Sequence, residues 1–330
     1  MRQWVGHSAQ PIVTKTGKEK VNNVKKKNNF SAGIAKDIKR HKWKYLIILP
    51  VIAYLLIFEY KPMYGVIIAF KDYKVHKGIW ASEWVGLKYF KRLFADPFFM
   101  RGLRNTLILS FQRIIFSFPV PVMLAILLNE VKSQKLKKTI QTITYMPHFI
   151  STVVVCGMIT SFTQSNGLIT DIFVALGGKR QNLLILEDWF RPLLIGSGIW
   201  EEAGWSAIVY LAALSAIDQE QYEAAKVDGA RRFQLMWHIT LPSIVPMIVM
   251  MLILRMGKVL NVGFEKIMLL YQPATYEVAD VISTYSYRRG LVEGDFSYST
   301  AVGLFNSVVG IILINVANRI SKKLGQSGLF

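Results

Sequence analysis

The sequence predicts an all-α integral membrane protein with six transmembrane helices and a helical loop on one face of the bilayer. Three observations carry that expectation. Apolar residues make up 52% of the 330, while Asp, Glu, Lys and Arg make up only 18%, below the roughly 25% of a soluble domain. Mean hydropathy is correspondingly positive, at +0.32. Six segments approach or exceed the about 20 helical residues that a hydrocarbon core requires. A disordered basic chain would lack the apolar fraction, and a single cysteine, Cys156, rules out a disulfide scaffold.

Residues 1–44 are polar and basic, and the first apolar run starts only at Tyr45. A cleavable signal has a short basic region directly before its apolar core, so the first span reads as an uncleaved anchor. The spans are 45–58, 103–128, 139–162, 189–215, 243–260 and 299–318. The first is short, and is expected to continue past Glu59, Lys61 and Pro62 to Phe70 as a kinked helix. Pro50, Pro119, Pro121, Pro147 and Pro246 also fall within spans, where neighbouring helices or polar side chains can satisfy the freed carbonyls. The domain plan is a basic segment 1–44, a transmembrane body 45–320 and a tail 321–330.

Lys and Arg set the orientation. Segments 1–44, 129–138, 216–242 and 319–330 hold 22 basic against 7 acidic residues. The alternate loops 59–102, 163–188 and 261–298 hold 13 against 12. The first set is therefore expected in the cytoplasm, with both termini. Most of the +19 net charge is topogenic, and the lysines from Lys25 to Lys44 can also rest on an anionic lipid bilayer. No aromatic-interleaved platform accompanies the charge, so nucleic acid is not an expected partner.

The loop 216–242 reads AIDQEQYEAAKVDGARRFQLMWHITLP. Asp218 followed by Gln221 fits a capping box. Glu220 and Glu223 favour the positive end of the helix that follows, and Glu223 is spaced to pair with Lys226. Gly229 can supply the left-handed turn that ends it. A second helix is expected over 230–239, stopping at Leu241-Pro242. The result is a compact knob, with Ala224 and Ala225 leaving little bulk between its backbone and a partner's groove. An amphipathic helix that merely packs under its own bundle would show the same local pattern.

The run from Tyr222 to Pro246 resembles the EAA loop of binding-protein-dependent ABC importer permeases. Glu223, Ala224, Ala225, Asp228, Gly229, Ala230, Ile239, Leu241 and Pro242 all fit its fixed spacing. From about residue 43 onward, stretches such as QTITYMPHFIS and FSYSTAVGLFNSVVG are similar to the carbohydrate and polysaccharide branch of that family. The resemblance implies the type I importer permease fold in the plasma (inner) membrane of a bacterium, with 216–242 as the coupling element to an ATPase. It implies as partners a second, similar permease, two ATP-binding subunits, an extracytoplasmic solute-binding protein and a carbohydrate substrate. ATP and Mg are expected in the partner ATPase, with no cofactor on this chain. The sequence agrees by omission, having no phosphate loop of the G-x-x-x-x-G-K-S/T kind and no cluster with metal-ligand spacing. No catalytic residue is expected. The competing reading is a stand-alone secondary transporter or channel, which would more typically show broken-helix repeats.

Charged residues at membrane depth usually face the bundle interior or a wet cavity. Glu201, Trp205, Asn261 and Glu265 are accordingly candidates for a substrate pathway. An inter-helix ion pair such as Glu202 with Arg255, or snorkelling to the interface, is the blander reading of the span charges.

Overall fold

The computed structural model describes residues 40–323, Gly325 and Gly328. The expectations for the basic segment before residue 40 lie outside the described residues. The chain forms two compact units, Met1–Pro62 and Met63–Phe330.

The first unit contains helix α1 (Lys42–Tyr54), followed by a π turn at Leu55–Tyr60. Its sequence KWKYLIILPVIAY is apolar on every face beyond its first residues, as befits a helix surrounded by hydrocarbon rather than one lying on a core. Helical structure continues along the chain as far as Phe70, the extent expected from the sequence.

The second unit is almost entirely helical. A two-residue ribbon, β1 (Lys71–Asp72) antiparallel to β2 (Glu83–Trp84), interrupts it, with Lys71 opposite Trp84. The helices that position the site are α2 (Lys88–Ala95), α3 (Pro97–Gln112), α4 (Pro119–Glu130), α5 (Gln134–Tyr145), α6 (Thr152–Thr163) and α7 (Leu168–Ala175). Then follow α8 (Glu187–Ser215), α9 (Gln219–Val227), α10 (Arg232–Leu235), α11 (Leu241–Gly257), α12 (Phe264–Leu270), α13 (Ile282–Tyr287) and α14 (Phe296–Lys323). Helix α8 is central, packing on α4, α5 and α11. One buried cluster joins α4, α8 and the start of α11 through Val122, Ala125, Ala207, Leu214 and Ile244. A second sits between α2, α3, α13 and α14, around Leu93, Phe99, Ile282 and Tyr298.

Four helical segments among the described residues are long and apolar enough to cross a membrane: Lys42–Phe70, Pro97–Glu130, Arg232–Gly257 and Phe296–Lys323. A fifth exists if the bent pair Gln134–Phe149 and Thr152–Ala175 is one span. That pair departs from the straight helix expected over 139–162. Pro147 sits in a 3-10 turn, Met146–Phe149, and Ser151 caps a new helix by accepting from the Val154 amide. The axis turns by 96° between the two. Helix α8 covers the remaining expected span. Glu201 and Glu202 in its middle lower its hydropathy.

Three of the four π turns among the described residues, Leu55–Tyr60, Arg113–Ser117 and Met236–Thr240, end two residues before a proline: Pro62, Pro119 and Pro242. Proline removes one backbone donor and crowds the preceding turn. A π turn carries one extra residue and opens that crowded turn. This corrects one expectation. The second helix of the 216–242 loop does not stop at Leu241-Pro242. It widens at Met236–Thr240 and runs on as α11.

Candidate functional site

The knob over 216–242 is built as its residues dictate. The Asp218 carboxylate accepts from the Glu220 amide at 3.0 Å and starts α9. The expected Glu223–Lys226 pair does not form within 4.0 Å, and both side chains are exposed. At the other end the Ala230 amide donates to the Ala225 carbonyl at 2.9 Å and the Gly229 amide to the Lys226 carbonyl at 3.0 Å. This is the paired bonding of a Schellman turn, which needs a left-handed residue. Gly229 supplies it, with φ +81°.

The knob has two faces. Tyr222, Met236, Ile239 and Leu241 pack on the buried cluster of α4, α8 and α11. The Tyr222 hydroxyl lies 3.0 Å from Oγ1 of Thr240. The other face is open: Glu223, Ala224 and Asp228 are exposed, and Ala225 and Ala230 are half-buried. Pro242 is exposed in the first turn of α11. Three large apolar side chains project from the same segment, Val227 exposed by 88%, Phe233 by 76% and Trp237 by 59%. Apolar groups left this open on a loop mark a contact surface. Their identity in the sequence carried no signal of exposure, since Phe233 and Trp237 read equally well as core.

Further along the bundle lies a cavity of about 510 Å³ between α3, α8 and α11, within the usual range for a ligand site. Arg113 enters it from the π turn after α3, and Glu202 and Tyr210 from α8. Arg255, at the end of α11, Lys258 and Asn261 add further polar groups to the lining. Of the residues singled out from sequence, Asn261 lines this cavity, whereas Glu201, Trp205 and Glu265 do not. Glu201 instead pairs with Lys266 at 2.8 Å, both largely buried. Trp205 stacks on His148, rings 4.6 Å apart. Glu265 is exposed in the first turn of α12. Glu202 and Arg255 share the cavity, but no ion pair joins them within 4.0 Å.

The face of α8 that lines the cavity was recoverable by counting. Gly198, Glu202, Ser206 and Tyr210 recur every four residues and all border it, as one helix face requires. Glu201 and Trp205 keep the same step on the neighbouring face. Adjacent carboxylates on a helix point about 100° apart, so only one of the two could face the cavity.

The family described as "Binding-protein-dependent transport system inner membrane component" matches residues 93–326. Protein LplB of Bacillus subtilis (strain 168) is 52% identical over 294 residues, covering 89% of this chain and 92% of LplB. The polygalacturonan/rhamnogalacturonan transport system permease protein YteP of the same organism is 51% identical, covering 88% and 91%. Among solved structures, a bacterial alginate ABC transporter in complex with alginate pentasaccharide-bound periplasmic protein contains a similar chain. It superposes with a TM-score of 0.82 at 46% identity, covering 89% of this chain and 99% of that one.

Proposed function

The chain is an inner-membrane permease component of the binding-protein-dependent transport system family, and on that premise we propose that it forms the translocation pathway for a carbohydrate, an oligosaccharide or polysaccharide fragment. Family membership displaces the stand-alone transporter or channel. Relatives whose names carry polysaccharides support the cargo.

In this reading an extracytoplasmic solute-binding protein delivers the sugar, a second and similar permease completes the pathway, and two ATP-binding subunits drive it. ATP and Mg belong to those subunits. Six spans place both termini in the cytoplasm, with α8 as the span its two glutamates disguise. At about 1.5 Å rise per residue, its 29 residues are ample to cross.

The observation that carries the reading is the two-faced knob. One face is bonded to the base of α11 through Tyr222 and Thr240, and the other presents Glu223, Ala224, Asp228 and three apolar side chains outward. An ATPase groove gripping the outer face moves α9, and α9 moves the spans on either side of it. Two discrete packings, biased by the ATPase, are what alternating access requires. Glu223, Ala224, Ala225, Asp228, Gly229, Ala230, Ile239, Leu241 and Pro242 are assigned to this coupling. The test is co-purification from the native cell with mass identification of bound chains, followed by uptake assays on Glu223→Arg and Gly229→Asp. Recovery of an ATPase from the wild type and loss of uptake in assembled variants are expected. Full uptake by both variants defeats the assignment.

A further inference from the structure

We propose that the segment 71–95, made of the β1–β2 ribbon and helix α2, is a binding surface for anionic phospholipid, with Trp80 and Trp84 in the headgroup layer and Lys77, Lys88 and Lys91 on the lipid phosphates. The apolar helical segment Lys42–Phe70 leads directly into it. The last turns of that segment carry aromatic rings, and the two tryptophans lie on them. Trp80 is 5.5 Å from Tyr64, and Trp84 stacks on Phe70 at 5.8 Å, ring centre to ring centre. Both indoles are nevertheless open, Trp80 by 77% and Trp84 by 62%. An indole has an apolar body and one N–H donor, which suits the boundary between hydrocarbon and water better than either phase. Lys71 fixes the backbone at Trp80, because its ammonium donates to the carbonyls of Ile79 and Trp80 at 2.8 and 3.2 Å.

The charge of the segment selects the headgroup. Residues 71–95 hold six Lys and Arg against two acids, Asp72 and Glu83. Three of the six cations have partners within the chain: Lys71 on its two carbonyls, Lys74 beside Asp72 at 3.6 Å, and Arg92 on Asp295 at 2.8 Å. Lys77, Lys88 and Lys91 are exposed, and among the described residues none of them has a carboxylate within 4.0 Å. Helix α2 turns Tyr89 and Leu93 into the buried cluster, which leaves Lys88 and Lys91, three residues apart, on its open side. Leu87 and Phe94, seven residues apart and exposed by 59% and 57%, share one edge of that side. Unpaired cations bordered by apolar groups are what an element lying in a headgroup layer presents. They match a lipid with a net negative phosphate, whereas a zwitterionic lipid brings a cation of its own. A soluble protein partner fits less well, since the tryptophans stack on the membrane segment itself, where headgroups compete for them.

The experiment reconstitutes the permease, with the chains that co-purify with it, in vesicles of phosphatidylcholine and phosphatidylglycerol in equal parts. Acyl chains are brominated on one lipid or the other, and tryptophan quenching is read. The difference between wild type and the double variant Trp80→Phe/Trp84→Phe isolates these two indoles. Assembly of each variant is confirmed by size-exclusion chromatography. Both brominated lipids are expected to quench them, with phosphatidylglycerol preferred by about fivefold or more, the scale of one lysine near an anionic surface. High salt should lower that preference. Replacing Lys77, Lys88 and Lys91 together by Gln should keep the quenching and abolish the preference, and replacing them by Arg should retain both. Indoles quenched by neither lipid overturn the proposal, as does equal quenching by the two lipids in wild type or a preference that survives the Gln substitutions. Indoles untouched by lipid but altered by added solute-binding protein would make the segment a protein-docking surface instead.

Discussion

The hydroxyl of Tyr222 and Oγ1 of Thr240 meet at 3.0 Å, and this contact joins the knob helix α9 to the π turn from which α11 rises. Tyr222 also packs its ring on the buried cluster that α4, α8 and α11 share. The chain between the two residues carries the Gly229 corner, so α9 is bonded to the far arm of its own bend. A force applied to α9 therefore reaches α11 directly, without first straightening the loop.

Removing the hydroxyl isolates that contact. Tyr222→Phe keeps the ring packing and loses one neutral hydrogen bond, about 1 kcal/mol. Hydrogen exchange of the α9 amides is expected to accelerate about fivefold, since opening of this unit becomes easier by that amount. Unchanged exchange would show that the hydroxyl pair contributes nothing to holding the knob.

The Gly229 corner separates conformational from steric cost. A Cβ built there meets nothing within 4 Å, yet φ is +81°. Substitutions should therefore rank by their tolerance of left-handed backbone and not by volume. Asn is mildest, Ala costs about 1–2 kcal/mol, and β-branched Val costs more. Thermal unfolding of the four purified proteins checks the order. A ranking by side-chain size would mean that the corner is crowded.

How legible this was in the sequence varies by residue type. The knob could be read because its instructions are local: Asp218 starts α9 and Gly229 ends it within a dozen residues. The end of its second helix was misread because Pro242 is a local stop signal, whereas the widened turn at Met236–Thr240 that lets the helix pass it is no local signal. The bend at Ile150 was missed for a related reason, since hydropathy stays high across Pro147 and Ser151 and only the backbone records the turn. Glu202, not Glu201, faces the cavity because of the rotation of α8, which is fixed by contacts distant in sequence, such as Ala207 on Val122 and Ala125.

One of those contacts fixes the distance between α8 and α5. A Cβ added at Gly204 collides with the carbonyl of Thr144 and comes within 2.9 Å of its Cβ. Backbone on both sides cannot yield as a side-chain tip would. Gly204→Ala is expected to lower stability by about 1–3 kcal/mol, the usual cost of overpacking. Gly196 lies two turns earlier on the same helix with nothing within 4 Å of its built Cβ. Gly196→Ala should leave the melting temperature unchanged or slightly raised, because Ala is the better helix former. Equal melting temperatures for the two variants in detergent would show that α8 does not touch α5 so closely.

The N-terminal end of α3 gives stability a predictable dependence on pH. Asp96 caps this helix, accepting from the Phe98 amide at 3.0 Å through one oxygen. Its other oxygen accepts from the hydroxyls of Tyr285 and Tyr298. Burial pushes the Asp96 carboxyl upward, but the tyrosine and backbone donors together outweigh it and hold the group below its ordinary 3.8. Burial first, and then the Asp96 acceptor, push Tyr285 up to about 12. The signs follow from linkage. A carboxyl depressed in the folded state contributes stability that is complete above its unfolded value and lost as pH falls through the folded one. A raised phenol contributes in full below pH 10.0 and loses that contribution as pH climbs through about 12. Asp96→Asn should therefore melt lower than wild type at pH 7, by the cost of leaving buried donors poorly matched, about 1–3 kcal/mol. It should also lose less stability on acidification below pH 4. Tyr285→Phe should flatten the alkaline limb between pH 10 and 12. Thermal melts across both windows test the pair, and parallel curves for wild type and Asp96→Asn at low pH would remove Asp96 as the source of the acid limb.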